Sequence, residues 1–114
     1  MEPDTIKINE VEYVRKEKTE GMRYIICRAQ NAGVFAGWLK SQNGQEVILL
    51  NARRLWYWSG AASLSQAAEE GFSNPNACKF PCEVSEVKLI QAIELLNCTE
   101  RARLSIKKVP IWKA

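Results

Sequence analysis

The sequence predicts an α+β domain: a mainly antiparallel, strongly curved sheet of about five strands, barrel-like at the limit of its curvature, with one short middle helix and a C-terminal helix. Three observations carry this expectation. Between residues 22 and 50, short runs of β-branched and aromatic residues alternate with turn signals. Ser63 and Gln66 stand in capping-box spacing ahead of Gly71, the mark of a short helix near 63–70. Thr99-Glu100 then opens a second helical pattern over 99–108, with Ala102, Ile106 and Val109 on one face and Pro110 as its stop.

With 114 residues the chain has room for one domain, 1–114, and one core, with 1–5 as a loose tail. Ile6, Ile8, Val11 and Tyr13 alternate partly and predict a first strand within 6–14; the charged run 15–21 reads as a solvated connection. Met22 to Arg28 has the length and composition of a buried strand. Asn31-Ala32-Gly33 is a turn signal, and Val34 to Leu39 supplies the next strand, with Gly37 marking a bulge or a close backbone approach. Asn43-Gly44 predicts a type I′ hairpin turn, so strands at 22–29, 33–40 and 45–50 form a meander. From Glu83 to Cys98 alternating positions suit a long strand, although length and composition also suit a helix; the strand is favoured.

The densest chemistry lies at Arg53-Arg54-Leu55-Trp56-Tyr57-Trp58. Continued as a strand, it would project Arg54, Trp56 and Trp58 from one face and Arg53, Leu55 and Tyr57 from the other. Arg53, Arg54, Trp56 and Trp58 are therefore the candidate partner-binding residues, since arginine beside aromatic rings is the composition of binding hot spots and of nucleotide sites. The competing reading buries the tryptophans in the core and pairs the arginines with Glu46, Glu83 or Glu86. Arg101, Arg103 and Lys107, with Lys108, form a secondary basic surface on the C-terminal helix, although lysines in a last turn also complement the helix dipole.

Composition narrows the function. The chain has no histidine, which removes Ser-His-Asp and Cys-His nucleophilic schemes and H-E-x-x-H metal hydrolysis, leaving carboxylates as the acid–base groups. Neither a G-x-x-x-x-G-K-[ST] nor a G-x-G-x-x-G phosphate cradle occurs. Cys78 and Cys82 are spaced C-x-x-x-C, wider than a zinc knuckle, and with Cys27 and Cys98 are read as reduced structural thiols. The expectation is a non-enzymatic protein with no cofactor and no metal. The net charge of +3 permits a polyanionic partner without demanding one. No apolar run reaches the roughly 18 residues of a membrane span. Segment 64–73 is similar to the first helix of a helix-turn-helix, but Pro75 and Pro81 interrupt the recognition helix that should follow.

Six segments together carry a resemblance: A-G-V-F-A-G-x-L at 32–39, N-G-x-E-V at 43–47, N-A-R-R-L-W-Y-W-S-G-A-A-S-L-S at 51–65, S-N-P-x-x-C-K-F at 73–80, I-E-L-L-x-C-T-E at 93–100 and V-P-I-W at 109–112. On these the chain resembles, over residues 22–113, a family of small proteins encoded by tailed bacteriophages and prophages. The resemblance implies provenance: an accessory protein of the bacterial host cytoplasm that binds and neutralises a host component, as an anti-defence or takeover inhibitor. A host protein is the expected partner. Binding of a nucleotide or nucleic acid through the Arg-Trp stretch is the alternative, and a virion structural or assembly role the third. The edges of so small a sheet also favour self-pairing, so a homo-oligomer is expected.

Overall fold

The computed structural model describes residues 19–113; the expected tail at 1–5 and strand at 6–14 lie outside the described residues. Five strands form one antiparallel sheet: β1 (Tyr24–Ala29), β2 (Gly33–Asn43), β3 (Glu46–Arg54), β4 (Glu83–Leu89) and β5 (Ala92–Asn97), in spatial order β4-β3-β2-β1-β5. Helix α1 (Leu64–Glu70) and a 3₁₀ turn at Pro75–Ala77 occupy the long excursion between β3 and β4, and α2 (Glu100–Lys108) follows β5. The class is α+β, as the sequence predicts.

The connection between β4 and β5 dictates the shape. These strands are the two edges of the sheet, yet only Ile90 and Gln91 separate them in sequence. In a flat sheet four interstrand spacings would hold them about 19 Å apart. Three Cα–Cα steps reach at most about 11 Å. The sheet must therefore curl until its edges approach at that end, where Gln30 N–H donates to Gln91 O and Ala92 N–H donates to Gln45 O. The curl stops short of a barrel, because β4 and β5 share no ladder. The single long strand expected over 83–98 is thus two strands on opposite edges. Its alternation was real, but no glycine or proline marks the Ile90-Gln91 reversal.

Strong curvature gives the sheet two apolar faces. Residues of all five strands, among them Ile25, Cys27, Phe35, Leu49, Leu89 and Ala92, meet in one cluster on the inside of the curl. Ile26 and Ala36, alternating with these, face outward and pack with Ala67 and Ala68 of α1, Ile106 of α2, Phe72 and Phe80. Each large side chain so buried contributes about 1.5–3 kcal/mol.

Local signals explain most boundaries. Ser63 Oγ accepts from Gln66 N–H at 3.2 Å, and Gln66 Oε1 in return accepts from Ala62 N–H at 2.8 Å, one residue before the expected partner of a capping box. Gly71 ends α1 at positive φ, its N–H donating to Ala67 O. Thr99 Oγ1 caps α2 by accepting from Ala102 N–H and itself donates to Glu69 O at 2.7 Å, tying the two helices together. The hairpin differs from expectation by one residue. Asn43 pairs with Glu46, which leaves Gly44-Gln45 as the two-residue loop, and Gly44 alone has positive φ (63°), the pattern of a type II′ turn.

At Gly37 both predicted features occur. The register jumps from Ala36↔Arg53 to Trp38↔Leu50, so Gly37 faces two residues of β3, Asn51 and Ala52, with Asn51 in the left-handed region at φ 49°. Asparagine is among the few residues that tolerate that region. A Cβ on Gly37 would lie 3.0 Å from Ala52 Cα and 3.2 Å from Leu50 O, both backbone atoms. Gly37→Ala is therefore expected to lower stability by about 1–3 kcal/mol in denaturant unfolding, the cost of overpacking; an unchanged midpoint would show that the bulge relaxes freely.

Candidate functional site

The bulge decides where the Arg-Trp stretch points. The ladder of β3 ends at Arg54, so the expected continuous strand through Trp58 does not form. Arg53 turns inward and is 3% exposed. Its guanidinium donates from Nε to Pro81 O (2.8 Å), from Nη1 to Ile106 O (2.8 Å) and from Nη2 to Phe80 O (3.0 Å), and lies 5.5 Å from the Phe80 ring centre. Neither the expected contact role nor the expected salt bridge survives for this residue. Burial lowers its pKa, opposed by the charge of Glu83, but an arginine stays protonated at neutral pH. Glu46 and Glu86 pair instead with Lys88 and Lys40.

Arg54 projects away from Arg53. It lies 4.3 Å over the Phe35 ring and donates to Ala32 O at 2.6 Å, and so braces the turn between β1 and β2. Trp58 is half-buried against Phe72, with ring centres 6.4 Å apart. Of the four predicted residues Arg54 and Trp56 are exposed, and Trp56 is the ring left open to solvent, at 63%. The stretch is divided by depth: Arg53 and Leu55 are buried, Trp58 is partly covered, and Trp56 and Tyr57 face solvent.

Trp56 is joined there by residues distant in sequence. Tyr57 bridges Lys79 through Tyr57 N–H to Lys79 O (3.3 Å) and Lys79 N–H to Tyr57 O (2.7 Å). On the other side Phe80 bridges Ile111, and Trp112 N–H donates to Phe80 O at 2.9 Å. The C-terminal segment is thereby laid beside Trp56, and the Trp56 and Trp112 rings are parallel to within 6° with centres 6.5 Å apart. The result is one aromatic surface, with Tyr57 52%, Ile111 59% and Trp112 44% exposed. The Lys79 ammonium lies 5.8 Å from the Tyr57 ring centre and 5.7 Å from that of Trp112. Tyr57, Lys79, Ile111 and Trp112 are not among the residues that the sequence singles out for this surface. The buried-exposed-buried run Cys78-Lys79-Phe80 was the available signal, hidden because the bridge to Tyr57 is long-range.

The secondary basic surface is also divided. Arg103 is bonded through two nitrogens to Glu100 (2.9 and 2.6 Å) and lies 5.5 Å from the Trp38 ring centre. That hydrogen bond holds the Glu100 carboxyl below its ordinary range. Arg101 and Lys107 are exposed, and Arg101 lines a broad cleft of about 470 Å³ between the end of α1 and α2. Phe72, Leu104, Lys108 and the acidic Glu70 line the same cleft. Opposite charges there and wide access to solvent leave it without a selective chemistry. Among the described residues no group of His, Cys, Asp and Glu is placed to hold a metal ion, and no helix is long and apolar enough to cross a membrane.

Fold and surface together define a small α+β domain that presents an aromatic platform on a curled sheet and its C-terminal strap. The chain belongs to the family described as a domain of unknown function (DUF6948), whose model matches residues 22–106. The match takes in Trp56, Tyr57 and Lys79 and ends before Ile111 and Trp112. No curated protein and no solved structure matches the chain.

Two outcomes are expected. Arg53→Met keeps the bulk but removes three charge-assisted hydrogen bonds and leaves the Pro81 carbonyl without its donor, and should cost about 3 kcal/mol or more in chemical denaturation; a loss under about 1 kcal/mol would deny Arg53 its role. Among the thiols, Cys82 is exposed and Cys78 buried, while burial pushes Cys27 up to about 11 and, together with Glu69, Cys98 up to about 12. A raised thiol pKa means less thiolate near neutrality. Alkylation of the native protein should therefore label Cys82 alone, and the other three only after unfolding; a second fast-reacting thiol contradicts the burial described here.

Proposed function

We propose that this protein is a non-enzymatic accessory protein of phage origin that binds and neutralises a component of the bacterial host, and that it does so through the surface of Trp56, Tyr57, Lys79, Ile111 and Trp112. The observation that carries the reading is the exposure of four large hydrophobic side chains in one patch, Trp56, Tyr57, Ile111 and Trp112. Leaving such surface in water costs roughly 25 cal/mol per Å² relative to covering it. Tryptophan and tyrosine are also the residues that dominate binding energy in contact surfaces. A contiguous apolar patch of this kind on a soluble domain marks a place of interaction.

The resemblance to phage-encoded proteins supports the host-directed part of the reading, and the histidine-free composition supports binding over catalysis. The contact surface differs from the one read in the sequence. Arg53 and Trp58 belong to the scaffold, Arg54 to a turn brace, and the C-terminal strap supplies what they were expected to supply.

The test is capture from lysate of the bacterial host with tagged wild-type protein and a Trp56→Ser/Trp112→Ser variant. The variant should keep its melting temperature within a few degrees, because both side chains lie on the surface. The account expects a stoichiometric host component with the wild type that is absent from the variant. Equal recovery by both proteins, or by neither, contradicts it.

A further inference from the structure

The aromatic surface is built from Trp56-Tyr57, Lys79-Phe80 and Ile111-Trp112. Lys79 is the one charged residue in these three stretches. Lys79 lies between the rings of Tyr57 and Trp112 and enters no ion pair among the described residues. Elsewhere on the sheet lysines are matched: Lys40 meets Glu86 and Lys88 meets Glu46. The surface thus combines open ring faces with an unneutralised ammonium among them.

That chemistry discriminates among occupants. A second copy docked on this surface about a two-fold axis would bring two Lys79 ammoniums together with no acid to separate them. A protein partner would be served by arginine, tyrosine and tryptophan, whereas lysine is depleted from the cores of protein interfaces. Single-stranded nucleic acid meets every feature. Each base offers a π face to an indole, and the phosphate between successive bases takes a lysine as a point charge. Trp56 and Trp112 are parallel to within 6°, the relative orientation of neighbouring stacked bases. A duplex hides its base faces in its own stack and cannot use the rings.

We infer that the surface of Trp56, Tyr57, Trp112 and Lys79 is a stacking platform for single-stranded nucleic acid, a stretch of DNA or RNA a few nucleotides long. This rests on the reading of the same surface as the contact site and names the class of ligand it takes. The bases lie on Trp56 and Trp112, and Lys79 contacts the intervening phosphate. Sequence preference is weak, because stacking accepts every base.

The experiment is fluorescence anisotropy of labelled oligothymidylate and oligouridylate of about 12 nucleotides, titrated with the full chain at about 50 mM salt and above. Both strands should bind, with a duplex of the same length at least tenfold weaker. Trp56→Ala and Trp112→Ala should each weaken binding about tenfold or more while leaving the thermal midpoint in place. Lys79→Gln should flatten the plot of log K against log salt by roughly 0.7, the loss of one phosphate contact on a single strand. A preference for thymidylate or uridylate would name DNA or RNA as the source and uphold the inference. Absence of binding at roughly 50 µM protein, indifference to both tryptophans, or equal affinity for the duplex would overturn it. If host-protein capture depends on Trp56 and Trp112 while neither strand binds, the ligand class is wrong and the contact surface stands; if both are indifferent to the tryptophans, both readings fall.

Discussion

One buried guanidinium holds together the parts of this molecule that the sheet alone does not. Arg53 leaves β3 and bonds the carbonyls of Phe80 and Pro81, in the segment leading to β4, and of Ile106, near the end of α2. Taking the charge out of water costs several kcal/mol. Three charge-assisted hydrogen bonds of about 1.5–3 kcal/mol each offset that cost. One side chain thereby bonds the sheet to both the middle excursion and the C-terminal helix. The Phe80 carbonyl has a second duty, accepting from Trp112 N–H. The same segment that anchors the arginine therefore carries the C-terminal strap.

The aromatic surface follows from this arrangement. With Arg53 and Leu55 drawn inward, Trp56 is turned out at the end of the ladder, and the segment at 79–80 is fixed between Tyr57 on one side and Ile111 on the other. The curl of the sheet sets a second junction, where the short β4–β5 link meets both hairpin loops and leaves Ile90 exposed. The two regions differ in chemistry. One is a tight backbone junction, and the other an open array of rings with a lysine among them.

Much of the fold was legible because its signals are local. Ser63 with Gln66, Thr99, Gly71 and Pro110 fix the helix limits through caps and breakers that act within a few residues, and Gly37 announced the bulge. The Ile90-Gln91 reversal was not legible, because its cause is the curl of the whole sheet and no turn residue marks it. The candidate site was half legible. Trp56 was singled out on composition and is exposed, but the depth of Arg53 depends on carbonyls 27, 28 and 53 residues away, which no local pattern records. The period-two assignment held through Trp56, with Arg53 and Leu55 buried and Arg54 and Trp56 exposed, and failed at Tyr57 and Trp58 because the ladder of β3 ends at Arg54. Tyr57, Lys79 and Ile111 became visible only when two isolated bridges brought their segments together.

Arg53 is an internal latch, and the exposed rings proposed as the contact surface begin three residues beyond it, at Trp56. Proton exchange of the arginine side chains, followed by nitrogen-15 NMR in water, tests this most directly. The account predicts guanidinium signals of Arg53 that persist with slow exchange and stand apart in shift, while those of the exposed Arg101 exchange rapidly. Exchange of Arg53 as fast as that of Arg101 would place it in water, and would return it to the surface on which the sequence first set it.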